Sequence, residues 1–307
     1  MIQVDVLIIG AGPAGIQAAI HSARKKVSVL LVGKSVNSAM SGTHIENYFG
    51  LSGTSDGDVL LSTGLEQARS FGCKVLEENI ISSSRKGKTF ILNTENDETI
   101  EAKAVIIATG ISRKKLGAPG EKELFGKGVS YCASCDCNFY KGRTVTIVGD
   151  ETEAAVSAEL MTKYSSKVYW VVGKIAASET VVKKAKDAGV EIVEGKVESI
   201  NGDGRVSSIT VSGKEIVTDG VFIELGAKSA ADLAMDMDVM PEMDDTIKVK
   251  DDCSTEVEGV FACGDITGRP WQVAKAVGQG AVAGMAAAEY VRGGGEGCRS
   301  MISSQGC

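Results

Sequence analysis

Short strand-like runs that end near a glycine alternate with helix-compatible segments along most of this chain. Examples are residues 5–9, 104–107, 143–148 and 259–262, each followed by a turn of small or polar residues. Runs this short and apolar are typical of strands buried in a parallel sheet, and the intervening helical segments are typical of crossovers. The pattern therefore predicts an α/β fold, and the length of 307 residues favours two domains.

The first of these runs leads into a glycine-rich turn. Gly10, Gly12 and Gly15 form a Gly-x-Gly-x-x-Gly sequence between a strand and a helix, which is the context of a dinucleotide site. Gly10 permits the tight turn, Gly12 lets a pyrophosphate approach the backbone, and Gly15 lets helix and strand pack closely. The next strand, residues 28–32, ends without the acid expected for an adenosine ribose. We therefore expect that contact from residues 34–35 or from a backbone group.

A pair of cysteines separated by two residues lies between two such nucleotide-type units. Cys132 and Cys135 are followed at once by Asp136. In a reducing compartment this spacing favours a redox dithiol, which can pass two electrons by exchange with another protein's disulfide. Half a zinc site and a structural pair are the alternatives, but zinc needs a second ligand pair. The other cysteines are scattered and the chain has only two histidines, so we predict no metal.

Composition narrows the class of protein. Apolar residues make up 43% and charged residues 24% of the chain, as in soluble globular proteins. The net charge of −7 disfavours a nucleic-acid partner, and no apolar run reaches membrane length. No basic leader precedes the first strand-like run, so we expect a cytoplasmic protein whose eight cysteines are mostly reduced.

Taken together, these features resemble the low-molecular-weight thioredoxin reductases, flavoproteins of the disulfide-reductase superfamily. The resemblance spans nearly all of residues 1–292. It includes the Ala-Thr-Gly turn at 108–110, the stretch from Arg113 to Tyr140, and Gly264-Asp265 with Trp271-Gln272. It implies FAD as the cofactor, a thioredoxin as the substrate, and a homodimer. By the same resemblance, Cys132 would attack the partner disulfide, Cys135 would face the flavin, and Asp136 would donate and accept the proton.

The resemblance also implies an architecture. We expect two doubly wound, Rossmann-like domains, the second inserted into the first. The FAD-binding domain would comprise residues 1–114 and 229–292, the insert with the cysteine pair residues 115–228, and a flexible tail residues 293–307. The residues predicted to contact FAD are Gly10, Gly12, Pro13, Ala14, Gly15, Lys34, Ser35, Asn47, Thr109, Gly110, Gly264, Asp265, Trp271, Gln272, Val273 and Ala274.

The insert departs from the family at its own nucleotide turn. The family has Gly-x-Gly-x-x-Ala there to hold NADPH, whereas this chain has Gly149-Asp150-Glu151-Thr152-Glu153-Ala154. Glu151 occupies the position of the glycine that lets the pyrophosphate approach. A carboxylate about 4 Å from one phosphate charge costs roughly 4 kcal/mol at an effective dielectric constant of about 20. Residues 173–176 supply one lysine in place of the arginines that would bind the 2′-phosphate.

We therefore expect the insert to keep its fold and to have lost the cofactor. The chain then resembles the ferredoxin-dependent flavin thioredoxin reductases, in which a ferredoxin supplies the electrons. Three alternatives stay open: an NADPH-dependent thioredoxin reductase with an eroded nucleotide site, a flavin-dependent dithiol oxidase, and a flavin-bound redox sensor.

Overall fold

The computed structural model describes residues 1–111, 115–225, 230–242 and 244–294. The chain divides into two compact units, Met1–Ser112 with Ser229–Cys307, and Arg113–Lys228. The first unit is thus interrupted in sequence by the second. Most of the predicted flexible tail, residues 295–307, lies outside the described residues.

The strands and helices follow one another in the order expected for nucleotide-binding folds. The strands are β1 (Ile2–Ile9), β2 (Val29–Val32), β3 (His44–Ile45), β4 (Ser55–Asp56), β5 (Lys74–Leu76), β6 (Ile80–Lys86), β7 (Thr89–Thr94), β8 (Thr99–Ile107), β9 (Val129–Ser130), β10 (Thr144–Val148), β11 (Lys167–Val172), β12 (Glu191–Glu194), β13 (Val197–Asn201), β14 (Ser208–Val211), β15 (Lys214–Val217), β16 (Gly220–Ile223) and β17 (Val260–Ala262). The α-helices are α1 (Pro13–Arg24), α2 (Gly57–Ser70), α3 (Ala133–Asp136), α4 (Thr152–Met161), α5 (Glu179–Asp187), α6 (Ala230–Met235) and α7 (Val273–Arg292). Short 3-10 helices cover Ser35–Asn37, Cys137–Tyr140 and Asp265–Thr267.

The first unit is built on a mixed seven-stranded sheet. Its strand order is β5-β2-β1-β8-β7-β6, with β17 also pairing with β8. The pairs among β5, β2, β1, β8 and β17 are parallel, and β6 and β7 form an antiparallel edge. Four residues of β1, Val6 to Ile9, are buried, as expected for a central strand covered on both faces.

Two helices pack closely on one face of this sheet. A Cβ atom at Gly280 of α7 would lie 2.2 Å from the carbonyl oxygen of Ala14 in α1, and one at Gly284 would lie 2.4 Å from that of Ala18. Only glycine permits such an approach. In the same contact Ser22 Oγ donates a hydrogen bond of 2.9 Å to Gly284 O. The small residues Gly280 and Gly284 therefore allow α7 to pack directly against α1, beside the carboxyl end of β1.

The second unit contains a five-stranded parallel sheet and a separate three-stranded antiparallel sheet. The order of the parallel sheet is β12-β11-β10-β16-β9, and the small sheet is β13-β14-β15. Trp170 of β11 and Phe222 of β16 are fully buried in the apolar core of this unit. Trp170 Nε1 donates a hydrogen bond of 2.7 Å to Gly149 O, so the buried indole also has its polar partner. The predicted α/β class with Rossmann-like sheets is confirmed.

Candidate functional site

The glycine-rich turn of the first unit has the geometry of a phosphate-binding turn. Gly10 has a φ of 112°, and a Cβ atom there would lie 2.4 Å from Ala108 O. A Cβ atom at Gly15 would lie 1.9 Å from Gly10 O. Around Gly12, in contrast, the nearest atom would be Ser38 Oγ at 3.4 Å. Gly10 and Gly15 are thus required by packing, whereas the space beside Gly12 is available to a ligand.

Three strand ends meet at the same edge of this sheet. Because β17 pairs with β8 and β8 with β1, the turns that follow these strands are neighbours. Thr109 Oγ1 and Asp265 Oδ1 are buried there, and neither has a hydrogen-bond partner within the described part of the chain. A buried polar atom without a partner costs about 1–3 kcal/mol. The two atoms therefore point to a polar ligand at this edge.

Lys275 and Gln279, which the sequence patterns did not single out, hold the loop that carries Asp265. Lys275 Nζ donates hydrogen bonds to Gly264 O (2.8 Å), Thr267 Oγ1 (3.0 Å) and Gly268 O (2.6 Å). Gln279 Oε1 accepts one from Gly264 N at 3.0 Å. Burial lowers the pKa of Lys275, and the neighbouring Asp265 opposes this effect. The signal that could have revealed the pair is their i, i+4 spacing on one helix face, opposite a loop rich in backbone carbonyls.

Burial also acts on the acid of this loop. It raises the pKa of Asp265, and the positive charge of Lys275 partly offsets the rise. The carboxyl group is thus placed where its ionised form is disfavoured unless a ligand donates hydrogen bonds to it.

The predicted contacts from two more distant segments also come together in the first unit. Asn47 Nδ2 donates a hydrogen bond of 3.1 Å to Gln272 Oε1. Gln272 is the residue before α7, so Val273 and Ala274 form the first turn of that helix. The Arg269 guanidinium lies 4.1 Å from the ring centroid of Trp271, a stacking contact that the sequence did not reveal.

The two residues predicted to contact the ribose, Lys34 and Ser35, differ from the other predicted contacts because Lys34 already has a partner in the protein. Lys34 Nζ forms an ion pair with Glu95 Oε1 at 2.6 Å, and the Glu95 side chain is almost completely buried. Asn79 also donates to Glu95 from its backbone N at 3.1 Å. The Lys34 ammonium is therefore engaged by the protein itself. Ser35, which begins a 3-10 helix, is half-buried, and the role of both residues at a ribose stays a prediction.

These residues fit FAD. Both α1 and α7 begin without an acidic residue in the first turn and without a side-chain cap, so their positive ends favour a phosphate or another electron-rich group. Pro13 and Ala14 form the first turn of α1, and Gly110 follows Thr109. The glycine-rich turn and the buried atoms Thr109 Oγ1 and Asp265 Oδ1 lie at the ends of neighbouring strands. Dinucleotides bind at this edge in open α/β sheets.

The cysteine pair of the second unit is present as a disulfide between Cys132 and Cys135. Cys132 precedes the single turn of α3, and Cys135 N donates to its sulfur at 3.2 Å. On the other side, Cys132 N donates to Ser130 Oγ at 3.1 Å. Cys132 is buried and Cys135 is exposed in this oxidised form. The predicted attack by Cys132 on a partner disulfide stays a prediction, and it requires that the buried sulfur become accessible after reduction.

Asp136 lies at the junction between α3 and the following 3-10 helix. It is half-buried, and its side chain makes no capping hydrogen bond to that 3-10 helix, so a purely structural role as its cap is not supported. Burial and the nearby Asp136 carboxylate raise the pKa of Tyr140. The role of Asp136 in proton transfer stays a prediction.

The nucleotide turn of the second unit is bonded through Asp150 to the loop that follows β11. Asp150 Oδ1 accepts a hydrogen bond of 2.8 Å from Gly173 N. Asp150 O accepts two more, from Ala176 N at 2.8 Å and Ala177 N at 3.2 Å. Glu151 is the N-terminal flanking residue of α4, and Glu153 lies in its first turn. The start of α4 therefore carries acids of the chain, unlike the starts of α1 and α7.

None of the helices in the described ranges is both long and apolar enough to cross a membrane.

Comparisons with known proteins agree with this geometry. The family model of the pyridine nucleotide-disulphide oxidoreductases matches residues 4–280. The thioredoxin reductase of Peptoclostridium litorale is 36% identical over an alignment of 308 positions, gaps included, and the alignment covers 94% of this chain and 96% of that protein.

Two solved structures are similar over nearly their whole length. One is the atypical thioredoxin reductase TRi from Desulfovibrio vulgaris Hildenborough, with 33% identity, a TM-score of 0.82, and coverage of 94% of this chain and 98% of that one. The other is a ferredoxin-flavin thioredoxin reductase from Clostridium acetobutylicum, with 34% identity, a TM-score of 0.69, and coverage of 95% and 99%.

Proposed function

Because this chain belongs to the pyridine nucleotide-disulphide oxidoreductase family and, within it, to the thioredoxin reductases, we propose that it reduces the disulfide of a thioredoxin with electrons from a ferredoxin and not from NADPH. FAD is the cofactor of the family, and the first unit holds residues that fit it. The redox pair is Cys132–Cys135. What distinguishes this proposal from the usual activity of the family is the electron donor.

The observation that carries the choice of donor is the bond between Asp150 and Gly173. It joins the turn after β10 to the turn after β11, the two turns from which a nucleotide-binding domain contacts the pyrophosphate and the ribose. A bound NADPH would lie against these two turns and would approach Glu151. The electrostatic cost of one such close charge pair, roughly 4 kcal/mol, corresponds to roughly a thousandfold in affinity.

A one-electron protein donor needs no nucleotide site. The similar ferredoxin-flavin thioredoxin reductase from Clostridium acetobutylicum supports this class of donor. FAD, when bound, supplies the chemistry that collects single electrons and releases them in pairs. With two electrons delivered, the Cys132–Cys135 bond opens and each sulfur becomes a thiol or thiolate.

The protein's own residues then carry out the exchange. The Cys132 thiolate attacks the thioredoxin disulfide, forms a mixed disulfide, and releases one thioredoxin sulfur as a thiol. Cys135 attacks Cys132 in the mixed disulfide, which frees the second thioredoxin thiol and closes Cys132–Cys135 again. Asp136, the next residue after Cys135, would deliver or accept the proton at these sulfurs. The cycle consumes two electrons and two protons for each thioredoxin reduced.

We also propose that the working form is a cytoplasmic homodimer and that the chain forms two domains with the predicted boundaries. The proposed activity is tested with oxidised thioredoxin under anaerobic conditions, with reduced ferredoxin, NADPH or NADH as the only electron source. The count of free thioredoxin thiols should rise only with ferredoxin. A comparable rise with NADPH would favour the NADPH-dependent alternative. Oxygen consumption with small dithiols, measured in a separate aerobic assay, would favour the dithiol oxidase.

A further inference from the structure

A buried carboxylate of the second unit is hydrogen-bonded to the redox turn. Glu224 Oε1 accepts a hydrogen bond of 2.8 Å from Ala133 N. This N–H belongs to the peptide that links Cys132 to Ala133, so the contact is made one bond away from the backbone of a redox cysteine. Glu224 is only 7% exposed and Ala133 only 1%. Water therefore competes little with this hydrogen bond.

The sheet explains why Glu224 lies there. Strand β16 is the neighbour of β9 on one side and of β10 on the other. In the register with β9, Phe222 pairs with Ser130, so Glu224 leaves the sheet beside the segment that leads from Ser130 into Cys132. On its other side, Glu224 N donates to Val148 O at 2.9 Å. The backbone of Glu224 is thus fixed to the nucleotide turn while its side chain extends to the redox turn.

The nucleotide turn shows how firmly this residue is placed. A Cβ atom at Gly149 would lie 2.0 Å from Glu224 O, so the two backbones are in direct contact. Because its backbone is fixed and its side chain is buried, Glu224 reaches Ala133 from a well-defined position. It can therefore restrain the redox turn more effectively than a flexible surface acid could.

We propose that Glu224 is a positioning residue for the Cys132–Cys135 pair, which it keeps ready to close by holding the peptide after Cys132. This inference rests on the redox role of the pair in the proposed function. In the disulfide form, the turn places Cys135 N 3.2 Å from the sulfur of Cys132. In the open dithiol, a restrained turn keeps one sulfur at a high effective concentration beside the other. Loss of the restraint gives the open form more freedom and makes the pair easier to reduce.

The test is a redox titration of the FAD-loaded protein with mixtures of reduced and oxidised dithiothreitol under anaerobic conditions. In each exchange the Cys132–Cys135 bond breaks, the ring disulfide of dithiothreitol forms, and its two thiol protons pass to the two cysteines. Quenching by alkylation and mass spectrometry of the peptide with both cysteines gives the reduced fraction. The titration needs neither thioredoxin nor ferredoxin nor NADPH. A failure of this inference is therefore distinguishable from a failure of the proposed function.

The expected result for Glu224→Ala is a midpoint at about a tenfold lower ratio of reduced to oxidised dithiothreitol, which is the effect of about 1.4 kcal/mol. Glu224→Gln keeps an acceptor oxygen and should lie within about twofold of the parent. Ala133→Pro removes the donor N–H from the other side of the same bond. Proline is accepted at the first position of a helix, and the extended backbone of Cys132 suits the residue before it, so this variant should shift the midpoint as Glu224→Ala does.

Asp219→Ala is the matched control. Asp219 Oδ2 accepts a backbone hydrogen bond of 2.9 Å from Thr144 N, the same kind of bond, but at the opposite end of β16. Its midpoint should equal that of the parent, whereas a general loss of packing would shift all variants alike.

A midpoint within twofold of the parent for both Glu224→Ala and Ala133→Pro would overturn the proposal. So would a shift in Glu224→Gln as large as in Glu224→Ala, because charge and not the hydrogen bond would then be responsible. If Glu224→Ala does not fold, Ala133→Pro decides alone.

Discussion

Asp150 Oδ1 accepts the backbone N–H of Gly173 at 2.8 Å, and this bond closes the nucleotide turn of the second unit with a side chain of the chain itself. In the first unit, Gly12 occupies the position that Glu151 holds in the second. If Gly12 carried a methyl group, the nearest atom to it would be Ser38 Oγ, at 3.4 Å. The first turn thus has open space beside Gly12, whereas the second carries the Glu151 side chain and the Asp150–Gly173 bond. We propose that this difference separates the unit that binds a dinucleotide from the unit that has lost its cofactor.

The open space beside Gly12 should be filled by FAD. Its φ of −86° is accessible to any residue, so Gly12→Ala and Gly12→Val should fold without backbone strain. The side chain would meet the pyrophosphate instead, and we expect FAD binding to weaken by about tenfold or more for valine, with alanine intermediate. Flavin absorbance per chain after gel filtration measures this, and thermal unfolding of the apoproteins is the control. Full occupancy in Gly12→Val would contradict the pyrophosphate assignment.

The two cysteines should behave differently when each is replaced alone. In Cys135→Ser the attacking sulfur of Cys132 remains but the resolving thiol is gone, so a mixed disulfide with thioredoxin should accumulate. In Cys132→Ser no such complex should form, and both variants should keep FAD. Mass spectrometry under non-reducing conditions detects the complex. Cys135 is the exposed cysteine in the oxidised form. A mixed disulfide trapped by Cys132→Ser would therefore contradict the assignment and would show that Cys135 is the attacking thiol.

The Asp265 carboxyl should lower the stability of the apoprotein as pH rises. Its folded-state pKa is raised by burial above the ordinary value of 3.8, so the folded chain holds this proton more tightly than the unfolded chain does. The resulting stabilisation is complete below about pH 3.8 and is lost as pH rises through the folded-state pKa. Asp265→Asn should remove this loss.

Denaturant unfolding of the apoproteins from pH 4 to about 7 provides the measurement. The variant should be more stable than the parent at neutral pH, and the difference should shrink towards pH 4. The same variant should bind FAD more weakly, since a neutral amide is a poorer acceptor than a carboxylate. Equal unfolding curves at all pH values would show that the buried carboxyl carries no such cost.

Replacement of Glu151 should restore part of the missing nucleotide affinity. Glu151→Gln removes the charge and keeps the size, whereas Glu151→Gly also removes the steric obstacle. The affinity for NADPH should therefore rise in that order, by up to roughly a thousandfold when the charge is removed. Neither should reach tight binding, because Asp150 still holds Gly173. Calorimetric titration measures the affinities, and Asp187→Asn, at an exposed acid at the end of α5, controls for net charge. No gain in either variant would exclude Glu151 as an obstacle.

The parts of the site that could be predicted from sequence are those whose residues are neighbours in the chain. Gly10, Gly12 and Gly15 lie within one turn, and Cys132 and Cys135 within another. The bonds Asp150–Gly173 and Ala133–Glu224 join residues separated by 23 and 91 positions, and no local pattern indicates them. They form because parallel strands bring distant loops to one edge of a sheet.

Lys34 also shows that contacts between residues distant in sequence cannot be predicted from a local pattern. Its position after β2 indicated a ribose contact, but its ammonium pairs with the buried Glu95. Glu95 belongs to a different segment, so the partner could not be inferred from the spacing around Lys34. Long side chains are the least predictable element of such a site, because several partners lie within their reach.

An anaerobic titration of the oxidised, FAD-loaded protein, followed through the visible absorbance of the flavin, decides between the two classes of electron donor. Reduced ferredoxin should bleach the flavin with one equivalent per electron, whereas micromolar NADPH or NADH should leave it oxidised, as expected for a cofactor whose affinity has fallen roughly a thousandfold. Rapid stoichiometric bleaching by micromolar NADPH would rule out a closed nucleotide turn and identify the chain as an ordinary NADPH-dependent thioredoxin reductase.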